Sequence, residues 1–86
     1  ANPEPLFVTK HARIVKQTPM GKNGSHVRLM LEEGGKTLEA VAFRITSRIA
    51  ELEEGKFCSL VYTVGLNRWN GNERLQLFIK DFEMEL

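Results

Sequence analysis

Apolar and polar residues alternate with a period of two along most of the chain, the spacing that sends successive side chains to opposite faces of a strand. Phe7 to Lys16 interleaves β-branched and apolar residues with polar ones and predicts a first strand. Gln17 to Ser25 is rich in turn formers and predicts a loop. His26 to Glu32 alternates without interruption: Val27, Leu29 and Leu31 face one way, and His26, Arg28, Met30 and Glu32 the other. Gly34-Gly35 predicts a turn, and Thr37 to Arg44 a third strand. Leu38, Val41 and Phe43 do not share a parity there; the expectation places Val41 and Phe43 inside.

The period then changes. Thr46 or Ser47 is suited to cap a short helix reaching about Leu52, with Ile45, Ile49 and Leu52 at helical spacing and Glu54-Gly55 as its end. Phe57 to Leu66 reads as a fourth strand, with Cys58, Leu60, Tyr62, Val64 and Leu66 inward. Asn67 to Asn72 is a loop holding an Asn-Gly turn signal. Arg74 to Phe82 is a fifth strand, with Leu75, Leu77 and Ile79 inward and Arg74, Gln76, Phe78 and Lys80 outward. Three strands, one short helix and two strands is the order of the oligonucleotide/oligosaccharide-binding (OB) fold, an all-β, five-stranded Greek-key barrel with a helix between strands three and four.

Length and charge sharpen this picture. A chain of 86 residues is one small domain, and 42% hydrophobic with 27% charged content is ordinary for a globular one. No apolar run approaches the roughly 20 residues of a membrane helix, and the first residues lack a signal peptide's basic and apolar regions. With Cys58 as the single cysteine, a reducing, cytoplasmic setting is expected. The net charge of +1 conceals a segregation. Pro5 to Leu31 holds five basic residues and no acid, and Gly55 to Lys80 holds four against Glu73 alone, whereas Glu32 to Glu54 holds six acids against three bases. If folding joins the two basic blocks, the domain gains a positive face.

Nothing in the sequence is arranged for catalysis. Glu32-Glu33 and Glu53-Glu54 are adjacent pairs that point apart, whereas acid–base work needs convergent carboxylates. His11 and His26 have no cysteine or aspartate at ligand spacing, so no metal or other cofactor is expected here. Binding is the stronger case. Single strands are held by a basic groove along the phosphates and by aromatic faces under the bases. An OB-fold offers that groove across strands two and three, between its first-to-second and fourth-to-fifth loops. The candidates are Lys22 in the first loop, His26, Arg28 and Met30 on strand two, Arg44 after strand three, Arg68, Trp69 and Arg74 about the last hairpin, and Phe78 on strand five. Trp69 either stacks on a base or covers the barrel end. Phe78 either stacks or is covered by the Pro3-to-Phe7 segment or by another domain. Phe43 and Tyr62 are expected in the core.

Several segments together carry a resemblance: Asn2-Pro3-Glu4-Pro5-Leu6-Phe7 at the start; His26 to Glu32 with Gly34-Gly35 and Leu38 to Phe43; then Leu60-Val61-Tyr62-Thr63, Leu66 to Gly71 and Leu75-Gln76-Leu77. In this order they resemble the C-terminal part of the RecJ family of bacterial exonucleases specific for single-stranded DNA. The resemblance implies that residues 1–7 are a junction from a preceding domain and 8–86 an OB-fold domain. It implies a 5′-to-3′ exonuclease of recombination and repair, whose metal-dependent (Mg²⁺ or Mn²⁺) DHH core lies outside this sequence. The expected partners are single-stranded DNA and those nuclease domains, with no membrane. The chain holds one aspartate, Asp81, and neither Asp-His-His nor Gly-Gly-His, so catalysis does not carry over. The loop Gln17 to Ser25 looks longer than is usual for the family. Two other readings stay open: an interaction module packing on sister domains, and an RNA-binding OB-fold.

Overall fold

Two hairpin turns set the register of the sheet. In the computed structural model, which describes residues 4–21, 25–43 and 48–85 and not the side chains of Asn67 and Trp69, Gly34 and Gly35 have φ of 56° and 81°. A two-residue turn whose twist matches its strands needs left-handed values at both positions. Strand β2 (His26–Glu33) therefore folds straight back as β3 (Lys36–Ala42), paired from Glu33–Lys36 to Val27–Ala42. Asn70 and Gly71, at φ 48° and 78°, serve β4 (Phe57–Trp69) and β5 (Asn72–Met84) in the same way. The loop expected over Asn67 to Asn72 shrinks to these two residues, because a tight turn lets the flanking residues continue the ladder.

Strand β1 (Phe7–Met20) closes the structure. Its first half pairs with β4 and its second half with β2, giving a closed barrel in the order β1-β2-β3-β5-β4. All neighbours run antiparallel except β3 and β5. The register of β1 shifts between Thr9 and Ala12 and again between Ile14 and Lys16. Such bulges bend a strand and increase its twist, and His11 takes φ 60° in the first. The loop expected from Gln17 is also shorter than the sequence suggests, since β1 runs on until Met20 opposes His26. Pro19 is tolerated there because, among the described residues, this half of β1 pairs with β2 alone.

Val27, Leu29 and Leu31 are fully buried, as their alternation predicts, and Ile14, Cys58 and Leu60 join them. Opposite them on β3 stand Ala42, Ala40 and Leu38. This corrects the expected orientation of that strand. Val41 is buried, but on the outer face between Arg28 and Phe78, and Phe43 is 50% exposed. The turn's register outweighs side-chain size, and the small alanines fit where Leu29 and Val27 already fill the barrel.

Leu52 plugs one end of the barrel and is fully buried. The expected helix contracts to a single 3₁₀ turn, Ile49–Glu51; its proposed caps, Thr46 and Ser47, lie outside the described residues. The Ile49 carbonyl accepts the Leu52 N–H at 3.0 Å and the Gln17 side-chain amide at 3.0 Å, and that amide also donates to the Leu52 carbonyl at 2.9 Å. Arg48 pins the other side, donating to the Phe82 carbonyl at 2.9 Å with its guanidinium 4.0 Å from the Phe82 ring centroid. Val64 and Leu66, expected inward, are 39% and 59% exposed, as is Leu75 at 58%. Pairing of β1 with β4 stops at Tyr62 and that of β3 with β5 begins at Leu77, so beyond these points no strand among the described residues faces the hairpin's inner side.

Candidate nucleic-acid interface

Cross-strand pairing determines which side chains share the outer face of β2, β3 and β5. Arg28 pairs with Val41 and Val41 with Phe78; one row further on, Lys16 pairs with Met30 and Met30 with Glu39. In the other direction Met20 opposes His26, whose ring meets Phe43 edge-on at 5.1 Å between centroids. His26, Arg28, Met30 and Phe78, all expected at the site, are thus brought together. Arg74 stands at the far end of the same face, and Arg68 further out on the hairpin. Lys22 and Arg44 lie outside the described residues, as does the side chain of Trp69.

Phe78 is half-buried because it rests on a residue without a side chain. A Cβ on Gly65 would lie 2.6 Å from the Phe78 ring, so glycine there lets the edge of the ring close onto the β4 backbone. Phe43 and Phe78 line one groove together with Pro5, Phe7 and Lys80. Phe43 also lines a second groove with Met20, Arg28, Val41, Arg74 and Gln76. It is the ring common to both. The sequence pattern predicts Phe43 in the core and does not mark Lys80 as a site residue. Counting outward from Gly34-Gly35 as a two-residue turn recovers Phe43: Leu29 then faces Ala40, and the residue after Ala42 must point out.

The charges are partly spent within the protein. Arg74 lies 3.1 Å from Glu39, Arg68 3.1 Å from Glu73, Arg13 3.3 Å from Glu32 and Lys56 3.5 Å from Glu53. Gln76 donates to the second Glu39 oxygen at 3.0 Å. The two basic blocks therefore do not merge into an unbroken positive face. Among the described residues Lys10, Lys16, Arg28, Lys36 and Lys80 carry no ion pair; Arg28 and Lys80 line the grooves that hold the two aromatic rings, and Lys16 stands beside Met30 on the same face.

No group of three or more histidine, cysteine, aspartate or glutamate side chains among the described residues converges to hold a metal ion. Cys58 is fully buried, and burial, with the nearby Glu85 charge, pushes its thiol up from 9.0 to about 11; it stays protonated and is no nucleophile at neutral pH. His11 stacks on Phe57 at 4.3 Å, with Nδ1 2.8 Å from Glu85 Oε2, a contact that steadies the bulge. What this surface supplies is therefore aromatic area and a few free cations.

Residues 1–81 match the family described as the RecJ OB domain. The single-stranded-DNA-specific exonuclease RecJ of Haemophilus influenzae is 35% identical over 83 residues, covering 94% of this chain and 14% of that protein. The RecJ of Bacillus subtilis is 28% identical over 93% of this chain and 10% of that protein, and the Escherichia coli RecJ 32% identical over 90% and 13%. The chain thus corresponds to a small part of these relatives. Among solved structures, the yeast mitochondrial single-stranded DNA-binding protein Rim1 superposes with a TM-score of 0.69 at 13% identity, covering 95% of this chain and 96% of that one. A small single-stranded DNA-binding protein of Streptomyces coelicolor gives 0.58 at 16% identity, covering 96% and 95%. Identities this low speak for the fold alone, and that fold is the OB barrel the strand order predicts. With the family matched over residues 1–81 and the barrel closed as described, the chain belongs to the RecJ OB-domain family.

Proposed function

We propose that this domain binds single-stranded DNA across the outer face of β2, β3 and β5, as the strand-holding module of a RecJ-type 5′-to-3′ exonuclease acting in the cytoplasm in recombination and repair. The observation that carries the reading is the placement of Phe43 and Phe78 on one face with Arg28 and Lys80, aromatic surface beside unpaired cations. Bases stack on the rings, each contributing about 1–3 kcal/mol, while phosphates pair with Lys16, Arg28 and Lys80. The names of the relatives support the choice of ligand. Hydrolysis, and the Mg²⁺ or Mn²⁺ it uses, belong to the rest of the protein. This domain positions the strand and performs no bond-breaking step.

Titrating the domain with labelled oligonucleotides over a range of salt tests this. Single strands should bind in preference to duplex, with log affinity falling by about 0.7 per phosphate contact per decade of salt, or roughly −2 for three contacts. Arg28→Ala should flatten that slope for every sequence alike. A folded domain that ignores single strands at low salt sinks the proposal. Equal or better binding of RNA would turn it toward an RNA-binding OB-fold.

The exposed Leu66 and Leu75, paired across the last hairpin, support a second role for a different surface, packing against the parent protein's nuclease domains. Leu66→Asp in the full-length protein should then loosen that packing, read as new protease sensitivity between domains, while the isolated domain's DNA affinity stays unchanged.

A further inference from the structure

We infer that Glu39 is a built-in brake on nucleic-acid binding: it holds Arg74 in an internal ion pair and keeps that cation from a phosphate. The inference rests on the proposed binding face. Glu39 is on β3, one row from Val41 and on the same side, in the middle of the surface where a strand would lie. Its side chain is only 13% exposed and both oxygens are engaged, Oε2 with Arg74 Nη1 at 3.1 Å and Oε1 with Gln76 Nε2 at 3.0 Å.

Arg74, by contrast, remains 66% exposed and lines the groove that Phe43 and Arg28 share. Its position suits a phosphate contact; its charge is already answered. A phosphate reaching this end of the groove meets a carboxylate and an arginine whose charges cancel, whereas one at Arg28 meets an uncompensated cation. Glu39 thus confines the strong electrostatic contacts to the Arg28 end and leaves the grip loose. A loose grip suits a strand that has to advance.

The experiment compares salt slopes for single-strand binding by the wild-type domain, Arg74→Ala, Glu39→Gln and the double variant. Glu39→Gln keeps an acceptor for Gln76 and removes the charge. It should raise affinity at low salt roughly three- to tenfold and steepen the slope by about 0.7, one added phosphate contact. Arg74→Ala alone uncovers the Glu39 carboxylate and should lower affinity at low salt; added to Glu39→Gln it should cancel that variant's gain. The brake is overturned if Glu39→Gln binds as wild type does, or if its gain survives the loss of Arg74. Should Glu39→Gln fail to fold, Glu39→Ala combined with Gln76→Ala removes the same charge and is held to the same gain and the same dependence on Arg74. Wild-type protein that is folded and binds no single strand removes the function and the brake together; wild-type binding with an unaltered Glu39→Gln removes the brake alone.

Discussion

Phe43 owes its exposure to two alanines. Ala40 and Ala42 take the inner positions of β3, so the larger Val41 and Phe43 turn outward. A ring that is half in water and braced by the edge of His26 contributes little to the core, yet offers an open face to a base. Replacing Phe43 with alanine should therefore lower single-strand affinity by about 1–3 kcal/mol. Its salt slope should hold, and the melting temperature should shift only slightly. A large loss of stability with normal binding would return Phe43 to a structural role. Phe78 is a different case, since its seat on Gly65 makes it half wall and half platform.

At the scale of elements, the 3₁₀ turn matters for what it carries. Leu52 fills the barrel end, and Gln17 holds the turn through two carbonyls. Leu52→Ala should cost about 2–5 kcal/mol through the cavity it leaves. Gln17→Ala should cost about 1–3 kcal/mol, because both carbonyls lose a donor in a part-buried place. Denaturant midpoints measure both; a Gln17→Ala midpoint equal to wild type would show that the tie is idle. This element also marks where sequence reading ends. The strands of the two hairpins and both turn dipeptides are legible because period and turn chemistry are local. The tie from Gln17 to Leu52, the ion pair from Glu39 to Arg74 and the bulges in β1 are not. The first two join positions 35 residues apart, and a bulge adds a residue to a strand without altering its composition. The same holds for the site: Arg28, Met30 and Phe78 follow from parity alone, whereas Phe43 requires the register of a hairpin.

At the scale of the molecule, closure leaves Cys58 with no route to water short of unfolding. Its thiol titrates near 11 in the folded barrel against 9.0 when exposed, so the folded state keeps its proton where the unfolded state has lost it. Stability from this group is complete below pH 9 and falls as pH rises toward 11, by about 1.4 kcal/mol per pH unit at most. Cys58→Ala should flatten that alkaline decline in denaturant titrations; an unchanged decline would assign it to other groups. The way β1 closes the barrel also has a consequence in time. Thr9 and Tyr62, whose hydroxyls meet at 2.7 Å, are 53 positions apart in the sequence. Contacts between such distant residues require an entropically costly loop to close first, which places all-β barrels among the slow folders, at milliseconds to seconds. On a nascent chain the first half of β1 therefore waits for β4 to be synthesised, and the first strand of the barrel is among the last to be seated.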